Sequence, residues 1–232
     1  MNEASQDTHR PFALVIFDCD GVLVDSEPLA FRVLLEGLMA AGHVMDEQAA
    51  YDRFLGRSLA NLQSVLRREF GVELNAAQLE EMRLRLFEVY RQELKPMPGI
   101  VEALDKLTIP YCVASSSLPD RIRLSLEVTG LLPRFDPHLF SATMVAKGKP
   151  EPDLFLHAAR QMGTPPEACL VIEDTAPGIT AAQRAGMTVF AFTGGGHARG
   201  PNYRQNLEAL SPAVLFDDMR KLPALIEGQR AG

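Results

Sequence analysis

The sequence predicts an α/β chain: a parallel, doubly wound, Rossmann-like sheet with a helical-bundle cap inserted after its first strand. Three observations predict it. The apolar run Leu14–Phe17 leads straight into Asp18, Asp20 and Gly21. Residues 28–94 then keep helical spacing with no strand-like run. Beyond Pro96–Gly99, short apolar runs alternate with helical ones, the pattern of βαβ units and a parallel sheet.

The elements follow in order. Leu14–Phe17 has the continuous apolar character of a strand buried on both faces. Pro28 suits a first helical position, and Leu29, Val33, Leu34, Leu38 and Ala41 keep helical spacing up to Gly42. Asp46 or Glu47 opens a shorter helix ending near Phe54, and Ser58 reads as the N-cap of Leu59–Phe70. Asn75 caps a long segment with Leu79, Met82, Leu86 and Val89 on one face. Four helices in succession suit a small antiparallel bundle. Pro96-Met97-Pro98-Gly99 then punctuates the chain. Past it, helices are expected at Val101–Leu107, Asp120–Val128, Asp153–Met162, Ala176–Ala185, Pro201–Leu210 and Asp218–Ile226. Strands are expected at Tyr111–Ala114, His138–Phe140, Cys169–Ile172, Thr188–Phe192 and Val214–Phe216. The chain therefore divides into a core (residues 12–26 and 99–232) and a cap (27–98). Hinges are expected near Asp25–Glu27 and at Pro96–Gly99.

Composition narrows the function. With 232 residues, 47% of them hydrophobic, the chain has enough apolar material for a sizeable core. A formal charge of −7 argues against nucleic-acid or anionic-membrane partners, which want a basic patch. It does not bar an anionic substrate, because a bound divalent cation inverts the local field. Cys19, Cys112 and Cys169 are an odd count without a Cys-x-x-Cys pair, each in or beside an apolar run. They read as buried thiols of a reducing compartment. Residues 1–11 are polar, and no run approaches the ~18 apolar residues of a membrane span. The expectation is a soluble, cytoplasmic protein, by default a monomer.

In open α/β sheets, ligands bind beyond the carboxyl ends of the strands. Three predicted strands end in polar groups: Asp18 and Asp20, Ser115-Ser116-Ser117, and Glu173-Asp174. Between the last two lies Lys147-Gly148-Lys149-Pro150-Glu151-Pro152, which its prolines keep from being helical. Parallel strands would bring all of these to one edge. Carboxylates, hydroxyls and a lysine in one crevice describe a hard-cation site facing a phosphate, and Mg²⁺ takes such oxygen ligands. Each motif alone has an ordinary explanation: a solvated turn, loop serines, a surface lysine, helix caps. All four at strand ends, in this order, are much harder to explain that way.

These stretches resemble the haloacid dehalogenase-like phosphatase superfamily, in its branch with a helical cap after the first strand. Phe17-Asp18-Cys19-Asp20-Gly21-Val22-Leu23-Val24-Asp25-Ser26 is similar to that family's nucleophile loop. Val113–Ser117 resembles its phosphate-binding strand end, Lys149–Asp153 its lysine loop, and Ile172–Gly178 its acidic metal loop. The resemblance implies that Asp18 attacks phosphorus, while Asp20 protonates the leaving oxygen and then activates water. It implies Mg²⁺ held by Asp18, the Asp20 carbonyl and Asp174, with Glu173 as a ligand or orienter. Ser115, the Ser116 amide and the turn around Gly21 would hold phosphoryl oxygens, and Lys149 would balance charge. Asp20 must then carry a proton at the start, with its side chain off the metal. Asp20 also favours phosphate esters over halides or phosphonates, since an alkoxide leaving group needs that proton.

Two details bear on the substrate. Arg57, in the turn Phe54–Ser58 between cap helices, is placed to pair with a carboxylate or hydroxyls of a small phosphorylated sugar or sugar acid. The alternative is a phosphosugar mutase of the β-phosphoglucomutase type. That type has a histidine where this chain has Ala30 and a cap arginine where it has Leu59. Gly194-Gly195-Gly196-His197 lacks Gly-x-Gly-x-x-Gly spacing and reads as a flexible loop. His157, spaced among Leu154, Leu156 and Ala158, reads as a packed residue.

Overall fold

The computed structural model describes residues 12–43, 66–68, 71–199 and 201–229. Among these residues, the strands β1 (Leu14–Phe17), β2 (Tyr111–Ser115), β3 (Leu139–Ser141), β4 (Cys169–Glu173), β5 (Thr188–Phe192) and β6 (Val214–Phe216) form one sheet. Its order is β3-β2-β1-β4-β5-β6, with every neighbouring pair parallel. The chain winds outward from β1 to β3, returns beside β1 as β4, and winds out the other way. The reversal of direction opens a crevice at the carboxyl ends of β2, β1 and β4.

Side-chain alternation along the central strands builds two cores. Val15 and Phe17 join Val113, Leu170, Ile172 and Phe190 on one face. Leu14 and Ile16 join Cys112, Ala114, Cys169 and Val171 on the other. Helices α3 (Ile100–Lys106) and α4 (Pro119–Val128) cover the first face, followed in the chain by a single turn, α5 (Leu132–Phe135). The second face is covered by α6 (Asp153–Gln161), α7 (Ala176–Arg184) and α8 (Pro201–Glu208). The terminal helix α9 (Leu222–Gly228) returns to the first face through Leu222 and Ile226. All three cysteines are buried free thiols, and His157 packs edge-on against Phe140.

The insertion contributes α1 (Glu27–Ala40) and α2 (Ala76–Glu93). They approach closely where Gly37 meets Met82, since a Cβ at residue 37 would lie 2.7 Å from that side chain. Phe31, Leu34 and Leu38 form a cluster with Leu66, Val72 and Leu74 apart from the two sheet cores. Asn75 opens α2 with a reciprocal box: its side chain accepts from the Gln78 amide at 3.0 Å, and Gln78 accepts from the Asn75 amide at 2.9 Å. The predicted helices at 46–54 and 59–70 lie outside the described residues apart from 66–68, which are helical. The two crossings to the insertion pair with each other through a Val24–Pro96 bridge. The Asp25 amide donates to the Lys95 carbonyl at 3.1 Å, and the Met97 amide to the Leu23 carbonyl at 2.8 Å.

The structure moves several expected boundaries. β2 and β4 each run one residue further, so Ser115 and Glu173 are ladder residues. β3 lies one residue later than expected, and α5 was not expected at all. The terminal segment opens as a 3₁₀ turn, Met219–Lys221, before α9 begins. Pro223, tolerated only in a helix's first turn, sets that start.

Ile16 has no exposed surface, so Ile16→Ala is expected to lose about 3 kcal/mol of stability. Asn75→Ala, which breaks the capping box, is expected to lose about 1 kcal/mol. Urea denaturation followed by circular dichroism ranks the two losses, and the reverse order would place the main cooperative unit outside the sheet.

Candidate active site

Asp18 leaves β1 at the crevice, and its amide donates to the Ile172 carbonyl at 3.0 Å. The next residues turn back at once: the Gly21 amide donates to the Val24 carbonyl at 2.9 Å, and the Leu23 amide to the Cys19 carbonyl at 2.9 Å. Gly21 has φ +80°, and a Cβ there would stand 2.0 Å from Asp174 Oδ2. Only glycine meets both demands.

Lys149 reaches the same place from its proline-bounded loop, with 4% of its side chain exposed. Its Nζ donates to Asp18 Oδ1 at 2.6 Å, to Glu173 Oε1 at 2.7 Å and to the Ala114 carbonyl at 3.0 Å. The ammonium thus ties the ends of β1, β2 and β4 together. The other oxygen of Glu173 accepts from the amides of Asp174 and Thr175, each at 2.8 Å, and from Thr175 Oγ1 at 2.9 Å. Thr175 is also the N-cap of α7 and accepts from the Gly178 amide at 3.2 Å. Gly178 lies against Glu173, where a Cβ would fall within 1.8 Å of the carboxylate.

Asp18, Glu173 and Asp174 each offer an oxygen within 4.8 Å of the others, and all three are buried. Glu173 spends both oxygens on hydrogen bonds from the chain. Asp174 does not: among the described residues, neither of its buried oxygens has an aligned hydrogen bond. His197 Nε2 stands 2.8 Å from Asp174 Oδ2, a close contact with poor hydrogen-bond alignment. Orphaned carboxylate oxygens beside another buried carboxylate are what a hard divalent cation would satisfy.

The charges agree. Burial pushes the Asp18 carboxyl up, Glu173 and Asp174 add to the rise, and Lys149 opposes it. Burial pushes Asp174 up to about 7 against the pull of His197. A cation among these groups would reverse both shifts. Burial alone would lower the Lys149 ammonium, but Asp18 and Glu173 overrule it and hold it above the lysine range.

The Asp20 carboxylate faces away from this cluster, as expected. It accepts from Ser26 Oγ at 2.6 Å, Ser117 Oγ at 2.6 Å and Arg121 Nη2 at 2.9 Å. The same Nη2 lies 2.8 Å from the Tyr90 hydroxyl of α2. The surroundings of Asp20 favour its charged form over the proton expected at the start of the reaction. Burial would raise its carboxyl, but Arg121 and the two hydroxyls outweigh burial and keep it below the usual carboxylate range.

Of the remaining expected groups, Ser115 is buried and its Oγ accepts from the Ser117 amide at 3.1 Å, while Ser116 is exposed at the crevice end of β2. Arg57 lies outside the described residues. Gly194–His197 is no flexible loop: Gly195 and His197 are buried, and Gly196 opens a 3₁₀ turn whose amide donates to Asp25 Oδ1 at 3.0 Å. Sequence reasoning missed Ser26, Tyr90, Arg121 and His197. None stands at a strand end, the main positional signal, although a histidine directly after three glycines was a usable hint.

The family described as haloacid dehalogenase-like hydrolase matches residues 12–186. The chain is 32% identical over 213 residues to the 6-phosphogluconate phosphatase of Escherichia coli (strain K12), covering 91% of this chain and 93% of that one. A haloacid dehalogenase-like protein of unknown function from Agrobacterium tumefaciens superposes with a TM-score of 0.82 at 37% identity, covering 94% of this chain and 98% of its own. A family hydrolase from Deinococcus radiodurans, solved with bound phosphate and sodium, superposes with a TM-score of 0.75 at 30% identity, covering 94% and 96%. With its sheet order, its buried acidic crevice and a match across more than half of its residues, the chain belongs to the haloacid dehalogenase-like hydrolases.

Proposed function

We propose that this chain is a Mg²⁺-dependent phosphatase for small phosphate monoesters of the phosphosugar or phosphorylated sugar acid class, working through an aspartyl-phosphate on Asp18. The chain is a phosphoric monoester hydrolase by family and by its phosphatase relatives. One observation carries the finer reading: Asp18 is clamped by Lys149 at 2.6 Å inside a buried acidic cluster where Asp174 has oxygens to spare. The 6-phosphogluconate phosphatase relative and the phosphate bound in the Deinococcus radiodurans hydrolase support the substrate class.

In this reading, an Asp18 oxygen attacks phosphorus while the ester P–O bond breaks, and the leaving oxygen takes a proton from Asp20. Water then attacks the aspartyl-phosphate, gives a proton to Asp20, and the Asp18–phosphorus bond breaks. Lys149 offsets the repulsion between carboxylate and phosphate dianion, and Ser115, the Ser116 amide and the turn at Gly21 bind phosphoryl oxygens. Asp18, Asp174 and the Asp20 carbonyl would hold Mg²⁺, whose chemistry is to neutralise charge shared between nucleophile and phosphate. Glu173, with both oxygens engaged, serves as anchor for Lys149 and the Asp174 turn. Asp20 stands ready as the base of the second step. A phosphate dianion arriving beside it raises its carboxyl by like-charge repulsion, which favours the proton needed in the first. Residues 27–98 act as the cap over a core of 12–26 and 99–232, and close the crevice against water. Ala30, a half-buried residue packed against the sheet core, offers no side chain for mutase chemistry.

Phosphate release from a panel of phosphosugars and phosphorylated sugar acids is expected with Mg²⁺ and not after chelation. Asp18→Asn is expected to lower turnover by at least ~10³-fold with the fold retained. An active Asp18→Asn protein would falsify the mechanism.

Arg121→Met leaves Asp20 buried without its counter-charge and is expected to lose about 3 kcal/mol near neutral pH. The depressed Asp20 carboxyl contributes stability that is present above its unfolded value and lost as pH falls through the folded one. The difference between variant and wild type should therefore shrink as pH falls below ~4. Urea midpoints across that range check it, and a difference independent of pH would remove the ion pair from the account.

A further inference from the structure

His197 is a buried polar group that the reaction scheme above does not use. It lies in the turn after β5, with 1% of its side chain exposed. Four neighbours fix it. Its Nε2 stands 2.8 Å from Asp174 Oδ2. Tyr203 of α8 packs edge-on against the ring, centroids 5.2 Å apart and planes at 83°. A Cβ on Gly21 would come within 2.8 Å of the imidazole, and one on Gly195 within 2.6 Å. Tyr203 also donates its hydroxyl to the Asp174 carbonyl at 2.5 Å, so both ring and hydroxyl bear on the same aspartate.

The backbone around the ring is equally constrained. Gly196 is tied to Asp25 at the hinge, and a Cβ at 196 would approach Pro28 to 3.0 Å. Neither ring nitrogen has an aligned hydrogen bond among the described residues. A buried imidazole in that state costs stability unless it has a partner. The partner within reach is the Asp174 carboxylate, itself short of hydrogen bonds.

We infer that His197 is a positioning residue for the cation: its Nε2–H holds one oxygen of Asp174, so that the other is presented to the metal beside Asp18. The inference rests on the reading of Asp18 and Asp174 as cation ligands. Metal ligands that are oriented by such outer partners lose affinity by ~10–100-fold when the partner is removed. Here the usual roles are exchanged, with the carboxylate as ligand and the histidine as its support. Tyr203 acts with it, on the backbone of the same residue.

The test is a Mg²⁺ titration of the metal-free full chain by calorimetry, with metal-free melting temperatures measured alongside to confirm folding. His197→Asn, whose amide is too short to reach Asp174, is expected to weaken Mg²⁺ binding ~10–100-fold. His197→Gln, whose amide N–H falls near the place of Nε2, is expected to recover most of that loss. If the Asn variant does not fold, His197→Leu, which has no donor, takes its place with the same expected loss. Equal weakening in the donor and non-donor variants, or weakening in neither, overturns the role of His197 alone. A wild-type chain that binds no Mg²⁺ overturns the cation reading and this inference together.

Discussion

Three buried carboxylates at one sheet edge share one ammonium, and the rest of the site depends on that imbalance. Lys149 is bonded to Asp18 and Glu173 at once and spends its third proton on the Ala114 carbonyl. Asp174 is left over. Burying carboxylates without counter-charge costs several kcal/mol each, and the fold answers only part of that cost with its own groups. Burial accordingly pushes the carboxyls of Asp18 and Asp174 up. A cation in this site would relieve the repulsion among the carboxylates and offset the charge that a phosphate dianion brings.

The sheet makes this arrangement affordable. β1, β2 and β4 are adjacent and parallel, and Phe17 lies level with Val113 and with Ile172. Residues just beyond these positions emerge on the same edge. The apolar ladders below them are buried on both faces, so the polar ends sit on a rigid base. Each acidic group is then fixed by backbone as well as side chain: Asp18 through its amide to Ile172, Glu173 through the amides it accepts from, and Asp174 against Gly21.

Asp20 connects the chemistry to the insertion. Ser26 immediately precedes α1, and Tyr90 belongs to α2, so two of the groups around the Asp20–Arg121 pair come from the segments that carry the cap. Asp25 and Gly196 make a second tie, between the start of the insertion and the wall of the crevice. Movement of the insertion would be felt at Asp20 on one side and at the His197 turn on the other. These buried contacts tie both ends of the insertion to the crevice.

The parts of this protein that the sequence determined by itself are the local ones. Apolar alternation and proline and glycine punctuation set the strands, the helices and the insertion point. They also put Asp18, Ser115, Lys149, Glu173 and Asp174 at strand ends or in a loop that prolines keep open. Those rules act over a few residues, so they are legible without coordinates, with an error of one residue at β3 and of four at the start of α9. Only the tertiary structure decided what each charged group faces. Asp20 meets Arg121 across 101 positions of chain, and Gly196 meets Asp25 across 171. Such pairings depend on side-chain direction and on how helices lie over the sheet, and neither leaves a periodic mark in the sequence. That is why the Arg121 partner of Asp20 was not foreseen, and why a glycine-rich turn expected to be loose proved to carry a buried histidine against Asp174.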